Sequence, residues 1–139
     1  MKALTLRQPF ASLVALGEKT IEVRTWATVH RGPILICSGS RDCILDDGDI
    51  LPGGYALATA SLVDVRQLSL DDLNAACIDT APKNALAWVF TDIRELEPFA
   101  VIGRQRLFDV NPPFLRDLPG ASDTFTHIDF IASLRSSAK

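Results

Sequence analysis

LTLRQPFASLVALGEKTIEVRTW, residues Leu4 to Trp26, changes its hydrophobic period twice, and the changes outline a strand, a helix and a second strand. Ala3-Leu4-Thr5-Leu6 alternates as a strand does. Pro9 stands where a helix takes its first residue, a position that needs no N–H, so the pattern predicts a helix over Pro9 to Leu16. Phe10, Ala11, Leu13 and Val14 supply its apolar stripe, and Gly17 suits a left-handed C-cap. The period then drops to two. Ile21 and Val23 take one face, expected to be buried, while Thr20, Glu22, Arg24 and Trp26 take the other. Glu22 and Arg24 therefore share a face, their Cα atoms roughly 6.5–7 Å apart. Lys19 stands just before them, so three charges gather beside an apolar helix.

The whole chain has 139 residues, 47% of them hydrophobic, which is enough apolar material for one core. Its net charge of −3 argues against a protein that coats nucleic acid by bulk charge. The charge is unevenly placed, however. Residues 1–41 carry six basic side chains (Lys2, Arg7, Lys19, Arg24, Arg31, Arg41) against two acids, Glu18 and Glu22. The acids dominate the remainder, so an anionic or electron-rich ligand would be met at one basic region. Cys37, Cys43 and Cys77 show no C-x-x-C spacing and read as reduced thiols, which suits the cytoplasm. His30 and His127 lie too far apart for a local metal motif, so no metal and no cofactor are expected. Met1-Lys2 runs straight into a strand without the apolar stretch of a signal peptide, and no run reaches membrane-span length.

Outward from the opening stretch, Ala27 to Gly32 reads as a loop and Pro33 to Cys37 as an almost continuous apolar run that suits a buried barrel strand. Arg41 to Pro52 is polar and acidic and reads as a solvated loop. Tyr55 to Val65 is the next strand, and Ser69 is a suitable N-cap for a helix from Leu70 to about Cys77. Ala85 to Ile93 is strand-like around Trp88, a core tryptophan. Glu95 to Pro98 should turn the chain into a final strand, Phe99 to Ile102, with Gly103 as a bulge or bend. Leu107 to Val110 continues the pairing. Thr126 to Leu134 could form a short helix, and Ser136 to Lys139 is expected to fray. Short strands with inserted helices and Gly/Pro punctuation fit an α+β domain built on a small mixed β-barrel with flanking helices.

Gly17-Glu18-Lys19-Thr20-Ile21-Glu22-Val23-Arg24 resembles the G-x-K-x-x-E-x-R signature of the ASCH domain family, a branch of the PUA-like fold. Leu6-Arg7-Gln8-Pro9-Phe10-Ala11 is similar to the family's opening strand-to-helix turn. Arg31 to Ile36, Ala87 to Phe90 and Pro98 to Val110 resemble later strands. The likeness spans roughly Lys2 to Val110. It implies an ASCH/PUA-like domain over residues 1–110, with residues 111–139 as an extension packing on it or fraying from it. It further implies a cleft between the first helix and the barrel that presents Lys19, Glu22 and Arg24 together.

Such a cleft would bind RNA, a nucleotide or a modified nucleoside: Glu accepts from a base amine, Arg donates in a fork and Lys adds a point charge. Arg7 and Gln8, at the strand-to-helix turn, should border it, although Gln8 could equally cap the helix. Trp26 could stack a base or join the core. Ser38 could donate to a ligand or simply end a strand. One family branch hydrolyses N4-acylated cytosine nucleosides with a Thr, a Lys and a Glu. If this chain were a hydrolase, Lys19 and Glu22 would be its catalytic residues, and on an RNA phosphodiester Lys19 and Arg24 would stabilise charge. Here Glu22 stands where the branch has its threonine, and a carboxylate is a poorer acyl carrier than an activated hydroxyl. A protein-interaction module in transcriptional regulation is the third class, and the sequence leaves the oligomeric state open.

Overall fold

The computed structural model describes residues 1–118, in which one sheet curls into a half-barrel around a short helix. The elements run β1 (Lys2–Leu6), α1 (Phe10–Ala15), β2 (Ile21–Arg24), β3 (Gly32–Ser38), β4 (Cys43–Ile44), β5 (Ile50–Leu51), β6 (Tyr55–Gln67), α2 (Leu73–Ala76), β7 (Leu86–Ala100) and β8 (Leu107–Asp109). The six-stranded sheet has the order β2-β7-β6-β3-β1-β8, and β4 and β5 form a separate two-stranded hairpin. Every named pair is antiparallel except β1 with β3, whose parallel register sets Ala3 beside Leu35 and Leu6 beside Ser38. A parallel neighbour needs a crossover, and α1 with β2 provides it. The α+β half-barrel agrees with the architecture expected from the sequence.

Alternation along β1 divides the core. Leu4 and Leu6 point toward α1 with Ile34, Ile36, Leu57, Trp88 and Phe90. Ala3 points to the other side, with Leu35, Cys37, Leu96 and Phe108. Strand β3 is buried on both faces, which is why its apolar run does not alternate.

Helix α1 lies against β3, β6 and β7 through Ala11, Val14 and Ala15. Leu13, expected in that stripe, is only half-buried, because the inward face turns one residue further and uses small alanines for a close approach. Pro9 sits at the N-cap rather than the first helical position, joined to Gln8 by a cis peptide. At the other end Glu18 N–H reaches Leu13 O at 3.0 Å and Gly17 N–H reaches Val14 O at 2.9 Å. Gly17 has φ +81°, so this is the Schellman ending that its glycine permits.

Three segments depart from the sequence reading. The stretch 41–52 holds the β4–β5 hairpin, closed at Gly48 (φ +90°), rather than a plain loop. The helix expected over Leu70–Cys77 splits into a 3-10 turn, Leu70–Asp72, and the single turn of α2, ended by Cys77 at φ 58°. Glu95–Pro98 does not turn the chain. Strand β7 runs through it: Ala58 faces Glu95 and Ala56 faces Phe99, so Leu96, Glu97 and Pro98 form a bulge that tolerates the proline and bends the sheet. Leu96 and Glu97 pair instead with Asp117 and Arg116, and Leu118 N–H donates to Glu95 O at 2.9 Å. The helix expected at Thr126–Leu134 and the tail after it lie outside the described residues.

Candidate functional site

The chain enters the site as it leaves α1. The Schellman turn delivers Lys19 between α1 and α2, and its side chain is only 1% exposed. Its ammonium donates to the carbonyl of Ala76, the last residue of α2, at 2.5 Å and lies 3.5 Å from Glu22 Oε1. It also sits 5.0 Å above the Phe10 ring. Burial pushes the Lys19 pKa down, and the Glu22 carboxylate opposes that shift.

Among the described residues strand β2 is an edge, paired only with β7. Ile21 packs under α2 beside Ala76 and Ala87. Glu22, on the opposite face, is buried as well, because in a curled sheet that face looks toward α1 rather than solvent. Glu22 Oε1 accepts the Val23 N–H at 3.0 Å. Its Oε2 takes Arg24 Nε at 3.1 Å and Nη2 at 2.9 Å. Arg24 Nη2 also donates to Thr5 O, on β1, at 2.7 Å. No backbone ladder joins β2 to β1, so this guanidinium laces the open side of the half-barrel.

A cavity of about 440 Å³ opens in front of these groups. Its floor is Lys19, Glu22 and Arg24, with Val23 beside them; one wall is Thr5 and Arg7 from the end of β1, with Phe10 of α1. The facing wall is Ile78, Thr80 and Pro82, from the segment after α2. Arg7 is exposed, with its guanidinium 5.4 Å from the Phe10 ring centre.

The remaining sequence candidates lie elsewhere. Gln8 is buried and structural in its contacts: Oε1 accepts the Ser12 N–H at 3.0 Å, and Nε2 donates to Ser12 Oγ at 2.9 Å and Pro52 O at 3.1 Å. Ser38 Oγ donates to Pro52 O at 3.1 Å and accepts the Tyr55 N–H at 3.0 Å. Trp26 packs edge-on against Trp88 at 4.7 Å, accepts the Trp88 indole N–H at its carbonyl, and carries Arg106 over its outer face. None of these three lines the cavity.

The sequence pattern assigns Phe10 to the core stripe and Thr5 to the first strand, and it gives Ile78, Thr80 and Pro82 no part in a site. The arrival of residues 78–82 beside β2 depends on α2 docking against Ile21, a contact with no local signal.

Residues 4–100 match the family model of the ASCH domain. The chain belongs to the ASCH domain family. Among solved structures it is similar to the ASCH protein of Zymomonas mobilis, with a TM-score of 0.58 at 16% identity over 96% of this chain and 94% of that one. Two mutant forms of that protein superpose with TM-scores of 0.55 and 0.52, at 15% and 16% identity; the first covers 87% of this chain and 91% of its own, the second 96% and 94%. At such identities the likeness speaks for the shared half-barrel. No curated protein matches the chain. The ASCH domain has a PUA-like fold and is generally thought to bind RNA. Among the described residues no helix is long and apolar enough to cross a membrane.

Proposed function

We propose that this ASCH protein binds RNA by taking one nucleotide into the cleft between α1 and β2. The observation that carries the reading is the disposition of charge on the cleft floor. Both Glu22 oxygens already accept hydrogen bonds, from the Val23 N–H and from Arg24, and Lys19 is engaged by Ala76 and Glu22. Glu22 is therefore the group that orients two cations, and base-amine recognition by its carboxylate would require breaking that set. Arg24 presents its remaining guanidinium edge, and Arg7 its whole fork, to an anionic or carbonyl group. Phe10, Ile78 and Pro82 offer apolar surface to a base, and the volume falls in the range of small-ligand sites.

A hydrolase reading finds less support. Glu22 holds the position that would need a free hydroxyl. Thr20, the nearest substitute, holds backbone contacts to Ala75 and Phe90 and does not line the cavity.

The test is fluorescence anisotropy with a labelled RNA hexanucleotide. Arg7→Ala and Arg24→Ala should each weaken binding about tenfold or more, as expected when a charge-assisted hydrogen bond worth about 1.5–3 kcal/mol is lost. Each should also flatten the log–log salt slope by about 0.7. Lys2→Ala, at the far end of β1 and paired with Asp109, should leave both unchanged. Equal losses in all three variants would mean diffuse attraction and end the cleft reading.

A further inference from the structure

The cleft has a neighbour of almost equal size. A second hollow of about 430 Å³ lies beyond Arg7, and the two share Thr5 and Arg7 as their common wall. Its far side is the segment leaving β3, Gly39 to Cys43, including Arg41.

That far side is held in place. Gly39 N–H donates to Leu6 O at 2.9 Å, Gly54 N–H to Gly39 O at 2.9 Å, and Gly53 N–H to Asp42 Oδ1 at 2.9 Å. A Cβ at Gly53 would run into the Gly39 carbonyl oxygen and lie 2.7 Å from that of Arg41, so only glycine fits there. The buried Gln8 amide and the Ser38 hydroxyl both donate to Pro52 O, fixing the start of α1 and the end of β3 to the same carbonyl.

Two guanidiniums face this rigid hollow. Arg7 stands on the ridge between the cavities, and Arg41 on the far side. Both are exposed, and neither forms an ion pair among the described residues. The nearby Asp42 already has its carboxylate engaged by the Gly53 N–H. A cation on a ridge between two base-sized hollows is placed to meet the phosphate that links two successive nucleotides. A second cation one hollow further on is placed for the next phosphate. A paired duplex cannot put adjacent bases into separate pockets, whereas a splayed single strand can.

Resting on the RNA-binding reading above, we infer that the two hollows together take two successive nucleotides of a single RNA strand, with Arg7 on the linking phosphodiester and Arg41 on the phosphate beyond it. A free mononucleotide takes the α1–β2 cleft, which Arg41 does not line, and so does not reach Arg41.

Calorimetric titration of the full chain separates the two readings. The probes are the four ribonucleoside 5′-monophosphates and the four homo-trinucleotides. The best trinucleotide should bind at least tenfold more tightly than its mononucleotide. Arg41→Ala should remove most of that gain and flatten the trinucleotide salt slope by about 0.7, with mononucleotide binding unchanged. Arg41 is exposed and, among the described residues, has no ion pair, so the variant should melt as the wild type does. A trinucleotide no tighter than the mononucleotide, or an Arg41→Ala variant that weakens both alike, overturns the two-nucleotide footprint while mononucleotide binding keeps the single cleft standing. Binding of neither probe overturns the cleft reading itself, and the footprint with it.

Discussion

Replacing Lys19 by methionine tests whether the cleft floor is also a structural joint. Methionine keeps an apolar stem of similar length and deletes the ammonium that sits over Phe10. Glu22 then still has Arg24 and the Val23 N–H, so the loss should fall short of the 3–5 kcal/mol typical of a buried pair broken outright. The orphaned group is the Ala76 carbonyl, and an unsatisfied buried acceptor costs about 1–3 kcal/mol. A destabilisation of about 2 kcal/mol follows, which lowers the urea midpoint by about 1 M for a slope of about 2 kcal/mol per M. The pH dependence has a definite sign. Burial lowers the Lys19 pKa in the folded chain, while the unfolded lysine titrates near ~10.4. Between those values the unfolded chain binds more protons, so wild-type stability rises with pH. Below the folded value the desolvation penalty is fully present. Urea melts of both proteins from pH 7 to 10 should therefore show the gap between them widening toward alkaline pH. A loss below about half a kcal/mol, or a gap that narrows with pH, would show that Lys19 is not buried on the Ala76 carbonyl.

Val14→Ala should cost about 2 kcal/mol in a thermal or urea melt, because Val14 is fully buried, while Leu13→Ala, half-buried, should cost less than about 1 kcal/mol. The Cys37 thiol is buried and pushed up to about 12, so a chromogenic disulfide reagent at pH 8 should titrate Cys43 and Cys77 in the native protein and Cys37 only after denaturation. Asp72 accepts the Ser69 N–H at 2.8 Å and Arg66 at 2.7 and 2.9 Å, and these bonds hold its carboxyl well below the usual carboxylate range. Asp72→Ala should cost about 1 kcal/mol near neutrality, the scale of a helix cap. A depressed acid stabilises above its unfolded pKa of ~3.9, so in acid melts the difference from wild type should shrink as pH falls below that value.

What could be read from the sequence was local. The strand, helix and strand of Leu4–Trp26 were legible because Gly17, Pro9 and the change of period act within a few residues of themselves. Pro98 misled because a proline argues for a break. In the fold it falls within a bulge whose partner strand continues past it, which only the β6–β7 register reveals. Glu22 was legible in its direction and not in its burial. Alternation placed it opposite Ile21, and that is where it lies, but its burial there comes from α1 occupying the inside of the curl. The wall formed by Ile78, Thr80 and Pro82 was invisible for the same reason at longer range, since it is set by α2 docking on β2.

The cleft and the closure of the fold use the same atoms, and this decides which substitutions can be read. Arg24 joins β2 to β1 through the Thr5 carbonyl and also lines the cavity, so its loss loosens an edge strand and alters the cavity lining together. Lys19 and Glu22 are bound into the same joint through Ala76 and Val23. A fall in RNA affinity on changing any of these three mixes contact with architecture, and the melting temperature must accompany it. Arg7 is different: it lines both hollows, is exposed, and its guanidinium lies over the face of Phe10 without an ion pair among the described residues. Binding lost with Arg7 at unchanged stability is therefore the cleaner evidence for recognition. A cation on the rim can be tuned to a ligand without disturbing the lattice of charges that holds the half-barrel shut beneath it.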